Sequence, residues 1–171
     1  MYEANSITGA ELNPAIVTAA RDTFGDYAGR VYDYPNVQVE IEDARTTLSR
    51  TDQQFDLIQA SLIDTWAASS SGAYSLSENG LYTQEAFETF YDRLTDRGMV
   101  SYSRWYFIAD PTETLRMTAL GRASWEEVGV ENVADHMVVI ANFAQNRSAD
   151  KGLATMLLKR TPFTPEEVAT L

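Results

Sequence analysis

Short apolar runs alternate with stretches of helical period along most of this chain, and that order predicts an α/β fold. The run "SITGA" reads as a first strand. Asn13 then stands where a helix takes its cap, and Pro14 where a first turn tolerates proline. Ile16, Val17, Ala20 and Phe24 follow at helical spacing. "GDYAGRVYDYPN" is punctuated by glycine and proline, and predicts a long loop that packs Tyr27, Tyr32 and Tyr34 down onto the protein. "VQVEIED" alternates with period two and ends in Glu42 and Asp43; "ARTTLSR" reads as a short helix, and "FDLIQAS" as a strand apolar enough to be buried.

The stretch "LIDTWAASSSGAYSLSENG" is small and polar apart from Trp66, Tyr74 and Leu76. A connection of that length in a compact domain predicts a loop over a site. "TQEAFETFYDRLTDRG" then predicts a helix capped by Thr83, with Ala86, Phe87, Phe90 and Leu94 on one face and Gly98 at its stop. "MVSYSRWYF" reads as a strand. "DPTETLRMTALGRASWEEVG" predicts a second helix, with Asp110 as cap and Pro111 in its first position. "HMVVIANF" and "LATMLLK" read as an antiparallel closing pair, and "TPFTPEEVATL" opens a last helix. With no internal repeat or linker, residues 1–171 read as a single domain.

Composition narrows the chemistry. The 171 residues suffice for one sizeable core, and 44% of them are hydrophobic. Asp and Glu outnumber Lys and Arg by 25 to 13, a formal charge of −12, which argues against nucleic acid as a partner because such binding needs a basic face. The absence of cysteine excludes disulfides and thiolate chemistry, and no metal-ligand spacing occurs. A lone histidine, His136, offers no triad and reads as structural. No apolar run is long enough to span a bilayer, and "MYEANS" lacks the features of a signal peptide. The expected location is the cytoplasm, or the soluble part of a membrane-anchored protein.

What remains is a series of acids. Glu11 follows the first strand, Glu42 and Asp43 the second, and Asp64 the third. In an open α/β sheet ligands bind beyond the carboxyl ends of the strands, where a carboxylate can accept hydrogen bonds from a ribose diol. The same residue type in the same place also serves as a helix cap or a solvated loop residue. Asp56, at the start of "FDLIQAS", reads as a local turn acid. Trp66 and Tyr74 are candidates to hold an amine by cation–π contact, and Glu78 to meet an ammonium group. "AASSSGAYS" lacks the lysine and glycine spacing of a phosphate loop, which excludes nucleoside triphosphate binding of that kind.

Four stretches in order, "GAELNPAIV", "VQVEIEDARTTL", "FDLIQASLIDTW" and "LYTQEAFETFYDRLTDRGMVSYSRW", resemble the signatures of the spermidine synthase (polyamine aminopropyltransferase) family. The likeness is good over residues 7–105 and looser beyond, and is nearest to the bacterial spermidine synthase-like proteins. It implies a Rossmann-like methyltransferase fold, mostly parallel with a closing antiparallel strand. It also implies that Glu11 binds ribose hydroxyls, that Asp43 and Ala44 hold adenine, that Asp64 is the second acid of the catalytic stretch, and that Tyr82 lies beside the substrate. The co-substrate would be decarboxylated S-adenosylmethionine or S-adenosylmethionine, with no tightly bound cofactor. The partner would be a small-molecule amine, and a homo-oligomer is compatible with the family.

The chain departs from the family in two ways. The first strand and glycine-rich loop that this fold sets ahead of "ITGAELNP" are not in the sequence, so the chain reads as truncated at its N-terminus, inactive alone and prone to fold poorly. Ser61 stands at the family's first catalytic acid, and a serine hydroxyl does not remove a proton from an amine at neutral pH without help. The expectation is therefore an aminopropyltransferase-like domain. The alternatives are an S-adenosylmethionine-dependent methyltransferase and a non-catalytic nucleoside-binding domain.

Overall fold

A computed structural model of the protein describes residues 4–62, 80–143 and 151–171. They fall into two compact units, Met1–Thr51 and Asp52–Leu171. Among the described residues no helix is long and apolar enough to cross a membrane.

In the first unit, strand β1 (Ile7–Ala10) lies parallel to β2 (Val37–Glu40), with Ile7 opposite Val37 and Ala10 opposite Glu40. Helix α1 (Pro14–Thr18) starts as its sequence dictates: the Asn13 side chain accepts a hydrogen bond from Ala15 N at 2.9 Å, and Pro14 stands at the first position. A wider π-helical turn, Ala19–Thr23, continues it. Of its periodic residues only Val17 is buried; Ile16 and Phe24 are half exposed. The tyrosines also depart from expectation. Tyr27 is 94% exposed and Tyr34 52%, leaving only Tyr32 partly covered. The cause is polar. Arg30, at a left-handed φ of 49°, reaches Asp26 at 2.7 Å and Asp33 at 3.2 Å, so the loop closes on its own charges and not on its rings. Helix α2 (Ala44–Arg50) ends this unit.

The second unit is built on a sheet of β3 (Phe55–Ser61), β4 (Leu94–Phe107), β5 (Met137–Asn142) and β6 (Lys151–Lys159), in the order β3-β4-β6-β5. β3 and β4 are parallel; β6 runs antiparallel to both of its neighbours. Within this sheet β6 is thus the one reversed strand among those described. Helices α3 (Gln84–Asp92), α4 (Thr112–Glu127) and α5 (Pro165–Thr170) complete the unit.

The core lies where α3 and α4 meet the sheet. Phe87, Phe90, Leu94, Val100, Tyr102, Trp125 and Leu158 are at most 1% exposed. Phe87 stacks on Tyr102 at 5.6 Å, and Tyr91 meets Trp125 edge-on at 5.2 Å, both favoured aromatic geometries. Gly121 sets the approach of α4 to β6: a Cβ there would lie 2.8 Å from Leu158 Cδ1. His136 is buried, bonded through Nδ1 to the Lys159 carbonyl at 3.0 Å and edge-on to Trp125, which is the structural role expected of it.

Elements of this unit differ from what the sequence predicts in three ways, two of them at boundaries. The helix after Thr83 stops at Asp92, not at Gly98, and β4 begins at Leu94. Leu94 is buried as its helical spacing suggested, but it pairs with Phe55 as part of the strand. Gly98 lies inside β4, where a Cβ would come within 2.6 Å of the Phe55 carbonyl oxygen. A bulge between Phe55 and Leu57 takes up the extra residues of β4. In the second case Pro111, not Asp110, is the cap residue of α4, although the Asp110 carboxylate still accepts from Thr112 N at 3.3 Å. Finally, β3 is not a buried strand: Asp56, Leu57, Gln59 and Ser61 are all exposed.

Candidate functional site

Each unit directs the carboxyl ends of its parallel strands to one edge, and the expected acids follow those ends. Glu11 is the first residue past β1. Its N–H donates to the Glu40 carbonyl at 3.0 Å, so it continues the pairing by one step and stands level with the end of β2. Its Oε1 accepts from Asn13 N at 2.8 Å. Asp43 stands past β2 and caps α2, its Oδ1 accepting from Thr46 N at 3.1 Å. Both acids therefore do the local work that any acid after a strand can do. Each uses one oxygen for it; Glu11 Oε2 and Asp43 Oδ2 have no hydrogen-bond partner among the described residues. Glu42 is different: Arg50 holds it at 2.7 Å and Thr47 Oγ1 donates to it. Ala44, the first residue of α2, is partly buried beside Asp43. A pair of partly buried carboxylates, each with an oxygen to spare, suits donors such as hydroxyl or amino groups.

In the second unit the edge is marked by Ser61, the last residue of β3. It is exposed, pairs with Ser103 and accepts from Gln59 Nε2 at 3.4 Å. Ser103 in turn shares a hydrogen bond of 2.8 Å with Thr155. Immediately after Ser61 the backbone turns sharply. Leu62 has φ 52°, and its N–H bonds the Ser103 carbonyl at 3.1 Å. A bulky residue in the left-handed region is costly, and such strain gathers at functional edges. Nothing in the sequence announces it, since glycine or asparagine would be the usual sign. Asp64, Trp66, Tyr74 and Glu78 lie outside the described residues. Asp56, as expected of a local acid, accepts from Thr95 Oγ1 at 2.8 Å.

Tyr82 stands just before the cap of α3. Its ring is tilted against Tyr102 at 5.4 Å, and the Arg104 guanidinium lies over its face at 4.6 Å. The ring face on which a substrate cation would rest thus already carries a cation of the protein. Arg104 also contacts Glu113 at 2.6 Å. The sequence reading passed over Arg104, although a signal was there: it is a lone charge in an otherwise uncharged strand segment, "VSYSRWYF". Among the described residues no cluster of His, Asp or Glu is arranged to hold a metal ion.

Compared with known proteins, the chain matches no family model and no curated sequence. Its structure, however, superposes on spermidine synthase from Thermotoga maritima with a TM-score of 0.60, at 18% identity, over 96% of this chain and 50% of that one. The chain shares the fold of the part of that enzyme which it matches. A spermidine synthase in complex with the transition-state analogue AdoDATO gives 0.59 at 16% identity, again over 96% and 50%. An rRNA methylase from Streptococcus thermophilus gives 0.52 at 10% identity, over 91% and 74%. This is the Rossmann-like methyltransferase fold that the four sequence stretches implied, and the chain spans about half the length of the spermidine synthases it matches.

Proposed function

We propose that this chain forms part of a transferase domain that binds an adenosyl sulfonium, decarboxylated S-adenosylmethionine, and passes its aminopropyl group to an amine. The observation that supports this most is the pair Glu11 and Asp43. In a spermidine synthase fold they follow the carboxyl ends of adjacent parallel strands, each with one carboxylate oxygen unengaged. Glu11 is assigned to the ribose diol, Asp43 and Ala44 to adenine, and Trp66 and Tyr82 to the acceptor side. In the reaction the amine nitrogen attacks the carbon bound to the sulfonium. A C–N bond forms as the C–S bond breaks, and sulfur leaves as a neutral thioether. The attacking nitrogen must first be unprotonated, and Asp64 is the assigned proton acceptor, with the Ser61 hydroxyl where the family has an acid. The protein otherwise contributes alignment, which in such displacements supplies much of the rate.

Methyl transfer from S-adenosylmethionine is the second reading, favoured by the likeness to an rRNA methylase. Calorimetric titration with the two donors separates them, followed by product analysis with putrescine. Aminopropyl transfer requires that the decarboxylated donor bind more tightly and that putrescine gain an aminopropyl group, with S-methyl-5′-thioadenosine as the thioether released. Tighter binding of S-adenosylmethionine moves the assignment to methyl transfer. Donor binding without turnover on any amine, with Ser61 as the cause, leaves a nucleoside-binding domain.

A further inference from the structure

A continuous run of aromatic contacts ends on Arg104. Phe90 packs against Phe87 at 5.4 Å, Phe87 on Tyr102 at 5.6 Å, Tyr102 against Tyr82 at 5.4 Å, and the Arg104 guanidinium covers the ring of Tyr82 at 4.6 Å. The inner end of this run is core; the outer end lies near the carboxyl end of β4, one residue beyond the level at which Ser103 pairs with Ser61. Tyr82 immediately precedes the cap Thr83, and Phe87 is four positions into the helix. Residues in those two positions commonly meet to fix the entry angle of a helix. Here both rings meet Tyr102, so the start of α3 depends on how Tyr82 is held.

The Arg104 guanidinium lies over the ring of Tyr82. Arg104 has little freedom: its side chain is only 19% exposed, and Nη2 reaches Glu113 Oε2 at 2.6 Å. Arg116, on the same turn of α4, approaches Glu113 at 4.0 Å and adds a second positive charge on that carboxylate. A planar guanidinium can lie flat on an aromatic ring while donating from its edge to a carboxylate; an ammonium cannot do both.

We propose that Arg104 is a positioning residue: braced by Glu113, it clamps the ring of Tyr82 and so sets the entry of α3 at the candidate site. The connection to substrate rests on the proposed function, which puts Tyr82 on the acceptor side; the clamp itself does not.

The test uses the full chain and reads both parts separately. Amide exchange is followed at Ala86, whose N–H bonds the Thr83 hydroxyl, and at Phe87, whose N–H bonds the Thr83 carbonyl. The Tyr82 ring resonances are followed by NMR. Arg104→Gln should speed exchange at those two amides about ten-fold and shift the Tyr82 ring signals, with Val100 and Leu158 unmoved. Arg104→Lys should restore the charge but not the ring shift. Glu113→Gln, a change at a half-buried position, should give a smaller effect of the same pattern if Arg104→Gln fails to fold. Unchanged exchange and ring signals in both Arg104→Gln and Glu113→Gln overturn the clamp, as does an equal change at Val100 and Leu158. With decarboxylated S-adenosylmethionine and putrescine, Arg104→Gln should raise the KM for putrescine with little change in kcat. If the wild-type chain binds decarboxylated S-adenosylmethionine no more tightly than S-adenosylmethionine, the aminopropyl reading fails, and the exchange and ring data still decide the clamp.

Discussion

Replacing Glu11 by glutamine separates its two jobs. Its Oε1 accepts from Asn13 N at 2.8 Å, and a glutamine carbonyl oxygen can take over that bond, so the turn into α1 survives. What changes is the other oxygen, which becomes an NH₂ group and no longer accepts from a ribose hydroxyl. Hydrogen bonds to a charged group contribute about 1.5–3 kcal/mol, so the nucleoside should bind about 10- to 150-fold more weakly. Because folding is spared, the melting temperature should stay near that of wild type. S-methyl-5′-thioadenosine is the cleanest probe, since it carries the adenine and the diol without a charged tail. Titration calorimetry should be run with it and with its 2′-deoxy analogue on both proteins. Wild type should lose affinity when the hydroxyl is removed, and Glu11→Gln should lose little more. If the analogue is weakened equally in both proteins, or if Glu11→Gln binds like wild type, Glu11 is a turn residue and nothing else.

Two further predictions concern stability. Gly121→Ala should gain up to about 1 kcal/mol in helix propensity but crowd the fully buried Leu158, at a cost of about 1–3 kcal/mol, for a net loss near ~1 kcal/mol in denaturant unfolding; a stabilised variant would contradict the close approach of α4 and β6. Glu167 accepts from buried Lys159 at 2.6 and 2.7 Å and from Thr164 N, and these bonds, Lys159 first, hold its carboxyl below the usual range. A lowered folded-state value means that its contribution is present above the unfolded carboxyl's range and is lost as pH falls through the folded one. Glu167→Gln should therefore melt lower than wild type at pH 7, with the gap closing in acid; a gap independent of pH would show that the charge is not what matters.

Much of the fold was legible because local signals agreed with one another. Asp43 caps the helix that "ARTTLSR" predicts, and the bounds Ala44–Arg50 and Phe55–Ser61 coincide with the stretches read from sequence. Gly98 misled because glycine has two uses. It ends helices by taking a left-handed turn, but here it lets one strand pass close to another, and only the partner strand tells the two apart. The tyrosines of residues 25–36 misled for a similar reason: their apolar rings suggested packing, while a nearby arginine with two aspartates settled the loop. At the site, Glu11 and Asp43 were legible as acids after strands, since strand order alone brings them to one edge. The left-handed backbone of Leu62 and the covering of Tyr82 were not, because each depends on residues distant in sequence or on a turn without its customary glycine.

The reversed strand carries a consequence for biosynthesis. β6 lies between β4 and β5, yet it is made after both. Until Lys151–Lys159 leaves the ribosome, the inner edges of β4 and β5 have nothing to pair with, and Val100 and Tyr102 lack their neighbours Leu158 and Met156. The second unit must therefore wait for nearly its whole length before its sheet can close. Pairing over such separations is slow and leaves sticky edges in the interval. A nascent chain halted before residue 151 should be a chaperone client, and the emergence of Lys151–Lys159 decides when it ceases to be one.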